Sequence, residues 1–435
     1  METTLTNRQG AKRTNSLNAA STRSAFGVVL ALLAGLAAQD SLSGELRPLQ
    51  PLVDAAQPND VLMLEPGVYQ GPVTVEKPLT LDGGGQATID AGGTGSVIYL
   101  DTDGATVRNL RLVNSGVSHN DIDAGVQVRG NFNTIKDNTI EDCLFGVDMQ
   151  RAEYNIVRRN RISSKPAELG LRGDAVRLWY SFNNQVTDNV IRDSRDTVVW
   201  YSRDNLIARN SVSGGRYSLH FMYSQYNKVE DNDFVGNSVG IFLMYSDSVE
   251  VRNNHIADAV GATGMGIGSK ESSDLSIEGN QILHCATGLY LDVSPYQPDT
   301  TNRVTGNLMA YNGVGVLFHN DWTGNIFKAN RFKGNLTQVA VSGATTAKRN
   351  DWQGNYWDDY EGFDRDGDGV GDTPYDLYAY ADRLWRDVPD AQFFKGSPVL
   401  EVLDFLERLA PFTPPSLVLS DATPMLSAGP AEAMP

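Results

Sequence analysis

Cysteine is nearly missing from the 435 residues. Only Cys143 and Cys285 occur, so a disulfide framework does not hold this chain together. Positive charge is scarce as well. Lys and Arg number 36 against 53 Asp and Glu, giving a net charge of -17 and a pI of about 4.7. Phosphate binding needs clustered Lys and Arg, so nucleic acid is excluded as a partner. No Ser-His-Asp arrangement, no H-E-x-x-H and no phosphate loop is present. Long apolar helical periodicity is absent after residue 40, whereas glycine is abundant at 42 residues. That combination favours a β-rich chain with many turns.

The one long apolar run lies at the N-terminus. Arg8, Lys12, Arg13 and Arg23 precede Phe26 to Ala38, FGVVLALLAGLAA, a 13-residue apolar stretch ending in small residues. It is too short for an ordinary membrane span, and its flanks fit an export signal over residues 1–38. An uncleaved anchor is the alternative. Removal of the signal leaves an acidic periplasmic or secreted protein.

What fills the rest is a repeat. A phrase of the form N-x-hydrophobic-x-x-N appears as NTIKDN (133–138), NIVRRN (155–160), NQVTDN (184–189), NLIARN (205–210) and NKVEDN (227–232). It returns as NRVTGN, NIFKAN and NDWQGN, closing at Asn307, Asn330 and Asn355. A spacing near 22 residues with short β-branched segments matches one coil of a right-handed parallel β-helix, an all-β solenoid. Asparagine at a fixed turn tolerates left-handed backbone, and stacked amides can bond from coil to coil. The expected domain spans residues 39–360, with a short N-terminal cap in ELRPLQPLVDAAQ (45–57). Residues 361–435 supply an Asp-rich loop, an amphipathic helix in PVLEVLDFLERL (398–409) that caps the solenoid or docks on a partner, and an extended tail. Both cysteines fall five residues after a ladder asparagine, six coils apart, which is roughly 29 Å and beyond disulfide reach.

Within the repeat, MYS occurs at Met222–Ser224 and again at Met244–Ser246, with His220 just before the first. Aligning Ser181, Ser202, Ser224, Ser246 and Ser269 puts Tyr180, Tyr201, Tyr223 and Tyr245 on one face with Leu178, Val199, Phe221 and Leu243. The other face carries Trp179, Trp200, Met222 and Met244, and beside them Arg177, Val198, His220, Phe242 and Met265. Strands with one wet face alternate apolar and polar; here both faces are largely apolar, so the second meets a loop, a partner or a ligand. Imidazole and thioether donors suit Cu(I), making His220, Met222, Met244 and Met265 a candidate soft-metal set, with His319 a weaker fifth. The competing reading is that the methionines only fill gaps.

Two further features bear on function. DRDGDGVGD (364–372) follows the first nine positions of a calcium loop, with Asp364, Asp366, Asp368, the Val370 carbonyl and Asp372 as candidate Ca2+ ligands; the closing glutamate is missing, and a solvated acidic turn is the alternative. Asp148, Asp174 and Asp292 lie near Arg172 and Arg177 in the repeat, but no acid/base couple stands out. A carbohydrate-binding or carbohydrate-cleaving β-helix, with Trp179 and Trp200 as sugar-stacking rings, remains the rival from another class.

The block GNYWDDYEGFDRDGDGVGDTPYDLYAYADRLWRDVPDAQFFKGSPVLEVLDFLERLAPF (354–412) closely resembles the C-terminal signature of the NosD family. PGVYQGPVTVEKPLTLDG and the tandem coils are similar to that family too. The resemblance implies a non-catalytic periplasmic accessory protein of nitrous oxide reductase maturation. It implies work with an ABC transporter, made of a membrane subunit and an ATPase subunit, at the inner membrane. It also implies receipt of Cu(I) from a membrane-anchored copper chaperone lipoprotein and assembly of the copper–sulfide cluster of apo nitrous oxide reductase. The copper ligands named above come from the repeat register, not from a family motif.

Overall fold

The computed structural model describes residues 46–343, 345–379, 397–409 and 415–428; the expected export segment 1–38 lies outside them. The chain coils as a right-handed parallel β-solenoid. A typical coil contributes three short strands, such as Ile156–Arg158, Arg161–Ser164 and Val176–Trp179. Twelve strands, from Val73–Val75 to Thr337–Val341, stack in chain order into one parallel sheet. Another 25 form two parallel ladders that merge where Thr80–Asp90 and Thr106–Val113 run through the bend between them.

The bend explains the repeat. Asp137, Arg159, Asp188 and Arg209 adopt left-handed backbone, with φ of 58°, 53°, 57° and 53°. The left-handed residue is thus the one before the ladder asparagine, not the asparagine itself as the sequence reading had it. The asparagine is there for its amide. Asn210 donates both its backbone N–H and its Nδ2–H to Asn232 Oδ1, at 2.9 and 3.0 Å, and Asn232 Nδ2 donates to the Ile207 carbonyl at 3.0 Å. The same exchange runs from Asn138 to Asn355, and a second ladder uses the opening asparagines Asn133, Asn155, Asn184, Asn205 and Asn227. Turn N–H groups that would otherwise be buried without partners are satisfied this way, at about 1–3 kcal/mol for each one left bare.

Inside, like residues stack on like. Val157, Val186, Ile207, Val229 and Val251 form one fully buried column, and Leu178, Val199, Phe221 and Leu243 another. Toward the C-terminal end the columns swell into rings. Phe327 stacks on Trp352 at 4.1 Å and Phe332 on Trp357 at 4.2 Å, followed by Tyr375 on Trp357 at 4.4 Å.

Both ends of the solenoid are closed. At the start, Arg47–Pro48 pairs with Tyr69 and Gln70, and helix α1 (Gln50–Ala55) buries Leu49 and Val53 over the first coil. At the far end the expected extended tail is instead a strand. Ser416–Asp421 pairs antiparallel with Tyr375–Ala379. The buried Asp421 carboxylate accepts from Asn355 N at 3.0 Å, Asn355 Nδ2 at 2.9 Å and Trp357 Nε1 at 3.2 Å. An aspartate therefore ends the asparagine ladder. Helix α2 (Pro398–Leu409) forms as the apolar spacing predicts, but Val399, Val402, Phe405, Leu406 and Leu409 are exposed. Cys143 and Cys285 are free and buried; burial pushes their thiols up to about 12 and about 11, which leaves them unreactive.

Candidate metal centre

The outward face of the twelve-strand sheet carries the candidate residues. On strand Tyr217–Met222, Leu219 and Phe221 point into the core and His220 and Met222 point out. Pairing with the preceding strand slips by one residue between Asp196↔Tyr217 and Val198↔His220. This bulge brings Tyr217 onto the outer face, where its ring stacks on His220 at 4.8 Å and 23°. Trp200 meets the imidazole edge-on at 5.7 Å, and Phe242 flanks it at 6.2 Å.

His220 is only 8% exposed. Its Nδ1 is sealed from solvent without a hydrogen-bond partner, as is Trp200 Nε1. Burial among rings lowers its pKa to about 4; Asp196 opposes that shift and Arg216 adds to it. At neutral pH the ring is therefore uncharged and keeps a lone pair for a ligand. Met222 pairs with Trp200 on one side and Met244 on the other. Both methionines are half-buried. A neutral imidazole, two thioethers and a rim of rings form a soft donor set that fits Cu(I) and suits a hard cation poorly.

Two of the predicted ligands do not join it. Met265 pairs with Val239 and Thr287, out of the His220 row. The sequence register matched Ser269 to Ser246, whereas the Ser246 N–H donates to Ser272 Oγ at 2.9 Å and Ser269 lies opposite Leu243. The coil carries three more residues before its turn than the register allowed. Gly268, not Met265, lies two coils from His220, with Phe242 between, and Lys270 continues the methionine row. His319 lies four coils on, about 19 Å away, with its Nδ1 3.2 Å from Tyr290 Oη. The tyrosines also depart from expectation. Tyr180, Tyr201, Tyr223 and Tyr245 sit at strand ends with φ near 50° and turn outward instead of facing the core. Their rings stack at 4.9, 5.2 and 4.8 Å in a ladder along the surface.

Beside the centre lies a network that the sequence reading did not assemble. Arg129 and Arg177 both reach the fully buried Asp148 at 2.8 Å. Arg195 bridges Asp174 at 2.8 Å and Asp196 at 3.5 Å, and Arg216 also grips Asp196. Burial raises Asp174 to about 6 despite Arg195. Asp292 is 3.9 Å from Lys270. Each carboxylate considered for acid/base work is thus tied to a cation. Asp196 and Arg216 were missed because the bulge that brings them to His220 leaves no mark in the repeat spacing.

In the acidic loop, Asp364, Asp366 and Asp368 do converge, each with a carboxylate oxygen within 4.8 Å of the others. Asp364 accepts from the N–H groups of Gly367 at 2.6 Å and Gly369 at 2.9 Å. Asp372 accepts from Arg365 N at 2.6 Å within the same loop, and Val370 forms a bridge with Met425. The loop closes on hydrogen bonds to its own backbone N–H groups, and three of the five expected ligands are brought together.

Comparison with known proteins gives this geometry its context. The family model described as "Periplasmic copper-binding protein (NosD)" matches residues 162–362, and one for a right-handed β-helix region matches 86–193. A "Probable ABC transporter binding protein NosD" of Pseudomonas aeruginosa is 29% identical over 93% of this chain and 96% of its own length. The protein of the same name from Stutzerimonas stutzeri is 33% identical over 25% of this chain and 26% of its own. Among solved structures, the A-module of a mannuronan C-5 epimerase from Azotobacter vinelandii is similar, with a TM-score of 0.52 and 16% identity over 68% of this chain and 90% of that one. That likeness concerns the solenoid alone. No helix among the described residues is long and apolar enough to cross a membrane. The family model covers the candidate metal centre, and the Pseudomonas relative runs almost end to end with the chain, which is thus similar over most of its length to NosD, described as a periplasmic copper-binding protein.

Proposed function

We propose that this protein receives Cu(I) on the outer face of its solenoid, at His220, Met222 and Met244, and passes it on in the maturation of the copper–sulfide site of nitrous oxide reductase. The observation that carries the reading is the buried, neutral His220 with a bare Nδ1, set beside two paired methionines in a chain similar to a family described as copper-binding. A membrane-anchored copper chaperone lipoprotein supplies the metal and the apo reductase takes it. An ABC transporter supplies work through its ATPase subunit, and the exposed apolar face of α2 is the contact with its membrane subunit.

In this reading the chain's own residues do three things. His220 offers an uncharged nitrogen without first losing a proton. Met222 and Met244 provide soft donors that bind monovalent copper and discriminate against hard cations. Trp200, Tyr217 and Phe242 keep water from the imidazole. Met265 and His319 are left out because the coil register separates them from the site.

The test is anaerobic Cu(I) titration of the purified protein against a competing chelator, with His220→Ala and Met244→Leu alongside. Tight binding that weakens at least tenfold in both variants supports the site. Tight binding untouched by either moves copper elsewhere. No binding in competition with the chelator leaves the methionines as packing.

A further inference from the structure

On and beside the outer face of the twelve-strand sheet, three aromatic rings receive a cation from the chain itself. Arg177 lies over Trp179 at 4.6 Å, Arg203 over Phe182 at 5.1 Å and Arg216 over Tyr217 at 4.9 Å. The tyrosine ladder ends at Tyr245. Tyr245 stacks on Tyr223 at 4.8 Å and 13°. In the next coil the tyrosine position belongs to Glu271, since Tyr245 N donates to the Lys270 carbonyl just as Tyr223 N donates to that of Met244. The far face of the Tyr245 ring thus has no ring against it among the described residues, and a carboxylate stands at its edge.

An open cavity of about 300 Å³ lies there, walled by Tyr223, Tyr245, Tyr296, Asp247, Glu271 and the glutamines 225 and 297. Tyr223 and Tyr296 are 49% and 55% exposed. Asp247 is fixed as a wall, accepting from Ser273 N at 2.9 Å and Gln297 Nε2 at 2.8 Å. Burial and the nearby Asp274 raise its pKa, so its charge is under-compensated. Among the described residues Glu271 has no ion-pair or hydrogen-bond partner for its side chain. Three phenols and two carboxylates therefore wall this space, and among the described residues no Lys or Arg lines it.

The geometry points to a seat for an arginine side chain carried by a partner protein. A guanidinium is planar and weakly hydrated; it stacks on a tyrosine face and forks to a carboxylate, two demands an ammonium meets less well. A chain of net charge -17 also draws basic surfaces toward it. The cavity begins one residue from Met222 and Met244, so a partner seated here stands beside the metal centre; that last point, unlike the seat itself, rests on the copper reading.

Copper-free protein is titrated with a fluorescently labelled acetyl-Gly-Arg-Gly peptide, followed by anisotropy, beside the same peptide carrying citrulline, a neutral isostere of arginine. The arginine peptide binds the wild type, the citrulline peptide binds at least fivefold more weakly, and Glu271→Gln and Tyr245→Leu each cost at least fivefold. Equal binding of the two peptides overturns the proposal, as does full binding by Glu271→Gln, a near-isosteric substitution at a half-buried site that leaves the melting temperature in place. So does displacement of the peptide by tetramethylammonium more readily than by guanidinium, which marks a small-molecule cage. Because no copper is present, the outcome is separate from the fate of the metal site.

Discussion

His220 shows how one residue records its surroundings. Its folded pKa, about 4, lies below the ordinary 6.5, so on acidification the unfolded chain takes the proton first. Stability from this residue is complete above about pH 6.5 and is lost as pH falls toward 4, at about 1.4 kcal/mol per unit. Asp174, raised to about 6, has the opposite sign, gaining stability as pH falls from about 6 toward 4. Comparison with His220→Leu isolates the histidine, because Asp174 is present in both proteins. Denaturant unfolding at pH 7.5 and pH 5 will show wild type losing roughly 2 kcal/mol relative to the variant. An unchanged difference means that the ring is hydrated and its nitrogen not bare. The sequence alone located His220 and Met222 on one strand face, because a period of two is unambiguous within a strand. Across strands it misplaced Met265, because Ser269 and Ser272 are equally good serines and only the hydrogen bond from Ser246 chooses between them.

At the scale of the element, the asparagine ladder was legible and its end was not. N-x-hydrophobic-x-x-N announces itself through repetition, whereas Asp421 belongs to no repeat and reaches Asn355 from another part of the chain. Replacing Asp421 by Ala strips three buried donors, two of them on Asn355, of their acceptor. A loss of about 2–4 kcal/mol from the C-terminal coils follows. Asp421→Asn keeps one acceptor oxygen and costs less than half as much. Hydrogen exchange at residues 351–357 reads both effects, and equal protection in the two variants rules out the aspartate as the ladder's terminus. The tail, rich in Pro, Ala and Ser, reads as extended because a strand of six residues paired at a distance leaves little local pattern.

At the largest scale, contacts within the solenoid pass mainly between adjacent coils. Five coils, about 24 Å, separate strand Tyr217–Met222 from the last strand of its sheet. In the proposed reading, copper binding and the α2 contact draw on different segments of the chain. In the proposed assembly, Phe405→Glu on the exposed face of α2 abolishes co-purification with the transporter's membrane subunit and leaves Cu(I) affinity within twofold. Retained co-purification places the contact elsewhere. Repeat period and turn residues carried the solenoid. The outer face resisted because burial there depends on a bulge and on left-handed tyrosines, which alternation cannot anticipate.

The ladder's terminus also bears on timing. Asn355 is completed by a residue 66 positions later. As the chain emerges from its N-terminus, each coil can add to the one before, and the amide row lengthens as it goes. The last member must wait with its donors bare and the rings of Trp352 and Trp357 uncovered until residue 421 arrives. During that interval the growing end is a sticky sheet edge, and whatever shields it in the cell is needed only until the final strand closes over it.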